Sequence, residues 1–324
     1  MAEIFDPITG RQSTTFLPIY LDSLLVDTIL DFDLYLKVGN EVILYRSKRL
    51  PFSEESRAKL LENNIHILYV ASDSKKIYQQ YIETNLGNII QDPTIEEEKK
   101  AGIIYDTSKA LVKDVLANPE LGENIQRSKD MVTNQVGYIL KGREAFLNLM
   151  KITSFDYYTY THSVNVCTFA IALAHQLGLT DNKALHDLGL GALLHDVGKS
   201  RISERILNKR APLNRAEISI VRKHPNWGME ILNETDILND EAYYPVIQHH
   251  ERLNGSGYPN ELKEKDIHPY GKIIAVCDVF DALTTRRVYQ DALATYNALK
   301  TMFENKEEFD SRILEEFVRL MGPQ

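Results

Sequence analysis

Apolar residues first recur with the short period of strands and later with the longer period of helices. TFLPIYL, FDLYLKV and EVILYRS are rich in β-branched and aromatic residues and predict three strands. Gly39-Asn40 between the last two predicts a two-residue hairpin turn. Ser53, Glu54, Glu55 and Ser56 then lead into RAKLLENN with the polar signature of a capping box at a helix start. HILYVAS predicts a further strand and SKKIYQQYIETNL a further helix. Residues 1–92 are therefore expected to form a small α+β domain, ending near Asp92-Pro93.

Beyond DPTIEEEKKAG the period changes. YDTSKALVKDVLA, NIQRSKDMVTNQVGYIL and VNVCTFAIALAHQLG carry apolar residues at helical spacing, and strand signals nearly vanish from there on. The charge run IEEEKK reads as the exposed start of a connecting helix, its acids favoured by the helix dipole. A helical connector over 93–124 and an all-helical domain over 125–324 follow. The expected fold class is mainly α, an all-helical C-terminal domain preceded by a small α+β domain.

A chain of 324 residues suffices for two domains with sizeable cores. Its net charge of −9 argues against a nucleic-acid polymer as partner. Acidity leaves an anionic substrate open, because a local cluster of cations or metals reverses the field. Cys167 and Cys277 lie far apart in apolar surroundings, as buried thiols of a reducing compartment do. The start MAEIFDPITG has no hydrophobic signal region, and no apolar run is long enough to cross a bilayer. A cytoplasmic location without a membrane partner is expected.

The histidines change the picture most. Of nine, eight fall between His162 and His268, interspersed with carboxylates, and that combination suits divalent transition metals. His195 and Asp196 follow the apolar run LGLGALL, where a buried Asp is costly unless it meets a metal or a cation. A helix end, with a capping Asp and Gly198 as terminator, explains that pair equally well. Lys199 returns to the face of His195 if the helix continues, and an ammonium there suits a phosphate oxygen. His162 opens an apolar helix, and Pro225 places His224 at a helix boundary. Asp278 and Asp281 are acids three residues apart in the apolar KIIAVCDVFDALTT, one able to be a ligand and the other a structural acid. His249 and His250 are adjacent in HHERLNGSGYP, an arrangement awkward in a simple core.

Taken in order, YTYTHSVNV, LLHDVGK, KHP, QHHERLNGSGYP and DVFDALTTRRVY resemble the HD-GYP family of the HD phosphohydrolase superfamily, from about Ile125 to the end of the chain. The resemblance implies a largely helical metal-dependent phosphodiesterase that hydrolyses cyclic di-GMP to pGpG, with GMP as a further product left open. Carried over residue by residue, it makes His162, His195, Asp196 and Asp278 ligands of one metal. His224, His249 and His250 then hold a second, with Asp196 bridging. Two metals about 3.5–4 Å apart can share a water, lower its pKa and clamp phosphoryl oxygens, so that a metal-bridged hydroxide attacks phosphorus in line. A set of five His and two Asp is too rich in nitrogen for magnesium or calcium, and iron, then manganese, is expected. Lys199 and Arg287 match phosphate-binding positions. Gly257, Tyr258 and Pro259 form the family's loop, with Tyr258 either a core aromatic or a substrate contact. Glu251 reads as support for the histidines or a helix end.

The departures matter for metal number and substrate. Tyr158 stands where some family members carry a glutamate that helps bind a third metal, so two metals are expected. Val288 and Gln290 depart from the family's usual proline and cation, which leaves a cyclic GMP-AMP dinucleotide open as substrate. Asn254 replaces an Asp but keeps the turn hydrogen bonds of that position. A module that binds the nucleotide and signals without turnover is the alternative of a different class. The resemblance also leaves open a homodimer, or a signalling-protein partner through the N-terminal domain or the GYP loop.

Overall fold

The computed structural model describes residues 15–153, 159–235, 238, 240–285 and 292–322. The chain divides into two compact units between Ile103 and Ile104.

The first unit holds strands β1 (Phe16–Tyr20), β2 (Thr28–Ile29), β3 (Leu34–Val38), β4 (Glu41–Arg46), β5 (Pro51–Phe52) and β6 (Ile67–Ala71). An antiparallel sheet runs in the order β1-β6-β3-β4, and β2 pairs with β5 in a separate ribbon. Gly39, at a φ of 62°, closes the β3–β4 hairpin where the sequence places the turn. Helices α1 (Glu54–Glu62) and α2 (Lys75–Gln91) complete the unit. Ser53 caps α1 by accepting from the Ser56 amide at 3.3 Å, although Ser56 is no acid and the reciprocal half of a capping box is missing. Phe32 anchors the core, with Tyr78 and Tyr81 of α2 edge-on to it at 5.6 and 5.5 Å.

Helix α3 (Glu97–Ala117) starts at the predicted charge run. Glu96 to Lys99 are exposed as expected, whereas Lys100 is 3 % exposed and sets its ammonium 2.7 Å from Glu97.

The second unit is helical among the described residues. It contains α4 (Gly122–Ile139), α5 (Arg143–Ile152), α6 (Thr159–Gln176), α7 (Asn182–Leu194), α8 (Glu204–Leu207), α9 (Arg215–Val221) and α10 (His224–Thr235). The chain continues through α11 (Tyr243–Gln248), α12 (Pro269–Thr284), α13 (Thr295–Glu304) and α14 (Ser311–Met321). The mainly helical class with a small α+β N-terminal part is borne out.

Helix α6 is buried on every side from Thr161 to Ala174, as an all-round apolar helix must be, and α7 and α12 pack against it. Phe169, Phe280 and Phe317 close this core edge to edge, the tightest pair 4.9 Å apart. Among the described residues no helix is long and apolar enough to cross a membrane.

Candidate metal centre

Five elements deliver the histidines and acids to one buried place. His162 lies in the first turn of α6, His195 and Asp196 directly follow α7, and His224 is the first residue of α10. His249 and His250 follow α11, and Asp278 comes from α12. Helix α7 stops at Leu194 and the chain tightens into a 3-10 turn, Val197–Arg201. Lys199 therefore does not return to the His195 face by helix continuation; its ammonium pairs with Asp196 Oδ2 at 2.5 Å. Gly198 permits the turn to lie against α10, since a Cβ there would meet the His224 carbonyl oxygen at 2.0 Å.

The adjacent histidines work because they leave the end of a short helix in different directions. Their rings are 4.1 Å apart and tilted by 46°. His249 Nδ1 donates back to the α11 carbonyls of Pro245 and Val246 at 3.0 and 2.9 Å, turning Nε2 inward. His250 instead presents Nδ1, which lies 3.5 Å from Asp278 Oδ2.

The hydrogen bonds fix the tautomers. His195 Nδ1 faces Ala192 O at 2.7 Å and His224 Nδ1 faces Val221 O at 2.7 Å, so each must donate there. His162 Nδ1 lies 2.7 Å from Asp281 Oδ2 and donates to that carboxylate. The Nε2 lone pairs then face one another, at 3.2 Å between His162 and His195 and 3.0 Å between His224 and His249. His162 Nε2 also lies 3.0 Å from Asp278 Oδ1. Lone pairs at such distances repel unless a cation sits among them.

Asp196 Oδ1 is a buried oxygen that accepts no hydrogen bond among the described residues, although it lies 3.3 Å from His224 Nε2. The bond is missing because that nitrogen carries no proton to give. An orphaned buried oxygen facing unprotonated imidazoles fits a divalent ion. Two groups have ligand atoms within 4.8 Å of one another: His162, His195 and Asp196, and His224, His249 and His250. Asp196 spans them, with Oδ2 3.5 Å from His195 Nε2 and Oδ1 turned to His224. Asp278 spans them too, one oxygen toward His162 and the other toward His250.

Burial keeps the imidazoles neutral. It lowers His195, His249 and His250 from their ordinary values and brings His224 down to about 4. Burial also opposes the ionised form of Asp196, but the adjacent Lys199 ammonium together with the His195, His224 and His162 rings outweighs it and holds the carboxyl well below the usual range. Neutral imidazoles with ionised carboxylates are the protonation states that a metal requires.

The loop after His250 is pinned by Glu251, which is 1 % exposed and accepts from the Asn260 and Leu262 amides at 2.8 and 2.9 Å. Glu251 thus holds the turn that follows, rather than the histidines or a helix end. Asn254 Oδ1 accepts from the Ser256 amide at 3.0 Å and keeps the expected turn. At Gly257 a Cβ would fall 2.5 Å from His250 O and Arg252 N, so this glycine serves close backbone approach. Pro259 follows, and Tyr258 stacks on His250 at 4.5 Å with the Arg222 guanidinium 5.0 Å from its ring.

His162, His195, Asp196, His224, His249, His250 and Asp278 thus converge, with Lys199 and Tyr258 beside them. Arg287 lies outside the described residues, as do Tyr158, Val288 and Gln290. Two residues came through only partly from the sequence. Asp281 was visible as an acid one turn beyond Asp278, and its bond to His162 was not. Asn165, which donates to Asp281 Oδ1 at 2.8 Å, carried no signal beyond being a polar residue within an apolar helix.

A family model described as an HD domain matches residues 145–313. The chain belongs to the HD domain family. Within this HD domain the HD-GYP resemblance is borne out by the relatives and by a solved structure. A cyclic di-GMP phosphodiesterase of Pseudomonas aeruginosa is 34 % identical over 229 residues, covering 70 % of this chain and 55 % of that protein. A 3'3'-cGAMP-specific phosphodiesterase of Vibrio cholerae is 38 % identical over 160 residues, covering 48 % of this chain and 30 % of that protein. The chain thus spans little more than half of the first relative and less of the second. A solved protein of Bdellovibrio bacteriovorus, described as an HDG"Y"P protein, superposes with a TM-score of 0.66 at 26 % identity. The match covers 95 % of this chain and 99 % of that one, so the likeness extends over the N-terminal unit.

Proposed function

We propose that this HD domain protein is a metal-dependent phosphodiesterase that opens cyclic di-GMP to linear pGpG. The observation that carries the reading is the orphaned Asp196 Oδ1 among inward-facing Nε2 atoms, a donor set without a proton to share. His162, His195, Asp196 and Asp278 hold one ion, and His224, His249 and His250 the other. The second oxygens of Asp196 and Asp278 tie the two groups together. Five imidazoles and two carboxylates favour iron, then manganese.

Divalent ions bound there supply an activated water nucleophile and positive charge for the phosphoryl oxygens. The chain's own residues do the rest. Lys199 helps keep Asp196 ionised, and its partly exposed side chain is placed to share a phosphate oxygen. Arg287 adds a second cation for the phosphate. Tyr258 lies stacked on His250 with the Arg222 guanidinium over its ring, so its half-buried edge, rather than an open face, is what a substrate base can touch. Glu251 holds that loop by two main-chain hydrogen bonds, so the ring is preset before substrate arrives. The two buried free thiols suit a reducing cytoplasm, the compartment assigned to the reaction.

A cyclic GMP-AMP dinucleotide is the second substrate reading, favoured by Val288 and Gln290 in the segment where the family carries proline and a cation. The test is anaerobic purification with metal counting, followed by product analysis on both dinucleotides. Two ions per chain and linear pGpG are expected. A protein that keeps both ions, binds the nucleotide and releases no linear product would instead be a signalling module. Three tightly held ions would overturn the two-metal assignment.

A further inference from the structure

We infer that Tyr105, Asn165 and Asp281 form a directional hydrogen-bond relay that positions His162 and strengthens metal binding at its group. The inference rests on the dinuclear reading above. Tyr105 is 2 % exposed, and Asn165, Asp281 and His162 are each 1 % exposed. The Tyr105 hydroxyl lies 2.9 Å from Asn165 Oδ1, Asn165 Nδ2 lies 2.8 Å from Asp281 Oδ1, and Asp281 Oδ2 lies 2.7 Å from His162 Nδ1.

The direction of every link follows from its acidic member. A carboxylate only accepts, so Asn165 must turn its NH2 toward Asp281. The amide oxygen then faces Tyr105, whose hydroxyl must donate. On the other side His162 Nδ1 must carry the proton, which leaves Nε2 free to bind an ion. Reversing any link sets two acceptors or two donors against each other in a dry interior.

His162 is singled out by its partner. The Nδ1 atoms of His195, His224 and His249 donate to neutral main-chain carbonyls. His162 donates to a carboxylate, which fixes the ring and makes Nε2 a stronger donor. Packing alone would need only an apolar side chain at position 105. A hydroxyl so deeply buried is costly unless its bond has a use. Tyr105 belongs to α3, so the relay reaches from the helix that opens the second unit to the first ligand of the centre. Asp281, Asn165 and Tyr105 are positioning residues; none touches the reacting atoms.

The test titrates metal-stripped protein with Mn2+ alone and reads free Mn2+ by electron paramagnetic resonance, so no turnover is needed. Wild type is expected to bind two equivalents. Asp281→Asn is expected to weaken one of them by about 10- to 100-fold and leave the other unchanged. Tyr105→Phe is expected to weaken the same one by about 2- to 10-fold. If Asp281→Asn fails to fold, the affinities of Tyr105→Phe decide the matter. Urea unfolding of each metal-free variant separates positioning from general loosening, because a purely structural role would weaken both equivalents together. Two equivalents of unchanged affinity in the variants, or both weakened alike, overturns the relay alone. A wild type that binds no Mn2+ overturns the dinuclear reading and the relay with it.

Discussion

Gly198→Ala tests how tightly the centre is built. The added Cβ would lie 2.0 Å from His224 O, 2.5 Å from the Gly228 nitrogen and 2.9 Å from the His224 carbonyl carbon. All three are main-chain atoms in the first turn of α10, so no side chain can rotate away. Relief to ordinary contact at 3.4 Å requires the 197–201 turn and α10 to part by about 1.4 Å. His224 Nε2 and Asp196 Oδ1, now 3.3 Å apart, sit on opposite sides of that gap. Metal–ligand distances tolerate only about 0.2 Å, so the His224 group should lose its ion. Overpacking of this kind costs roughly 1–3 kcal/mol, and rigid main-chain neighbours put the change at the upper end. The assay is urea unfolding of the metal-free protein together with metal counting, with Gly137→Ala as the control. Gly137 is a glycine within α4 with nothing near its Cβ position, so alanine there should stabilise by about 0.5–1 kcal/mol. A Gly198→Ala protein that unfolds at the wild-type midpoint and holds two ions would mean that the turn and α10 need not lie in such close contact for the centre to form.

Three other substitutions probe the loop, the buried imidazoles and the bridge. Glu251→Gln replaces one of two accepting oxygens with an NH2 that confronts a main-chain N–H, so stability should fall by roughly 1.5–3 kcal/mol; unchanged amide exchange at Asn260 and Leu262 would count against this. In metal-free protein His224 titrates near 4 when folded and near about 6.5 when unfolded, so the unfolded chain binds the extra proton between those values. Its stability contribution is full above pH of about 6.5 and declines by roughly 3 kcal/mol as pH falls through 4; His224→Gln should remove that slope, and an identical pH profile for both proteins would disprove it. Asp196→Asn should lower metal affinity by more than about 100-fold, beyond the range of a supporting residue, and metal counting after dialysis decides it.

Local chemistry made much of this protein legible from its residues. The change from strand to helical period sets off the small sheet from the helical unit, and the Gly39-Asn40 hairpin follows from the chemistry of that turn. β2 and β5 carried no signal because two-residue strands are shorter than any period can reveal. The end of α7 was an open alternative, since His195-Asp196 suits both a helix terminus and a ligand pair. In the structure it is both: the helix stops, and the stop aims Asp196 inward beside Lys199. Glu251 could be seen to be a support but not what it supports, because its partners lie 9 and 11 residues onward across a turn.

The pair Asp278 and Asp281 shows where sequence reading ends and packing begins. Three residues apart on a helix, both carboxylates lie on one face, and period alone cannot rank them. The difference comes from α6, which meets that face at His162 and divides the ring's two nitrogens between the two acids. Nδ1 goes to Asp281 and Nε2 lies beside Asp278. A proton committed to Asp281 empties the other nitrogen, and only then does the oxygen of Asp278 confront a lone pair instead of a donor. The same logic holds for His195, His224 and His249, whose protons are drawn outward by main-chain carbonyls. Each outward hydrogen bond is ordinary. Together they strip the centre of protons and leave Asp196 Oδ1 without a donor among the described residues, and this shared deficit makes the site one for cations.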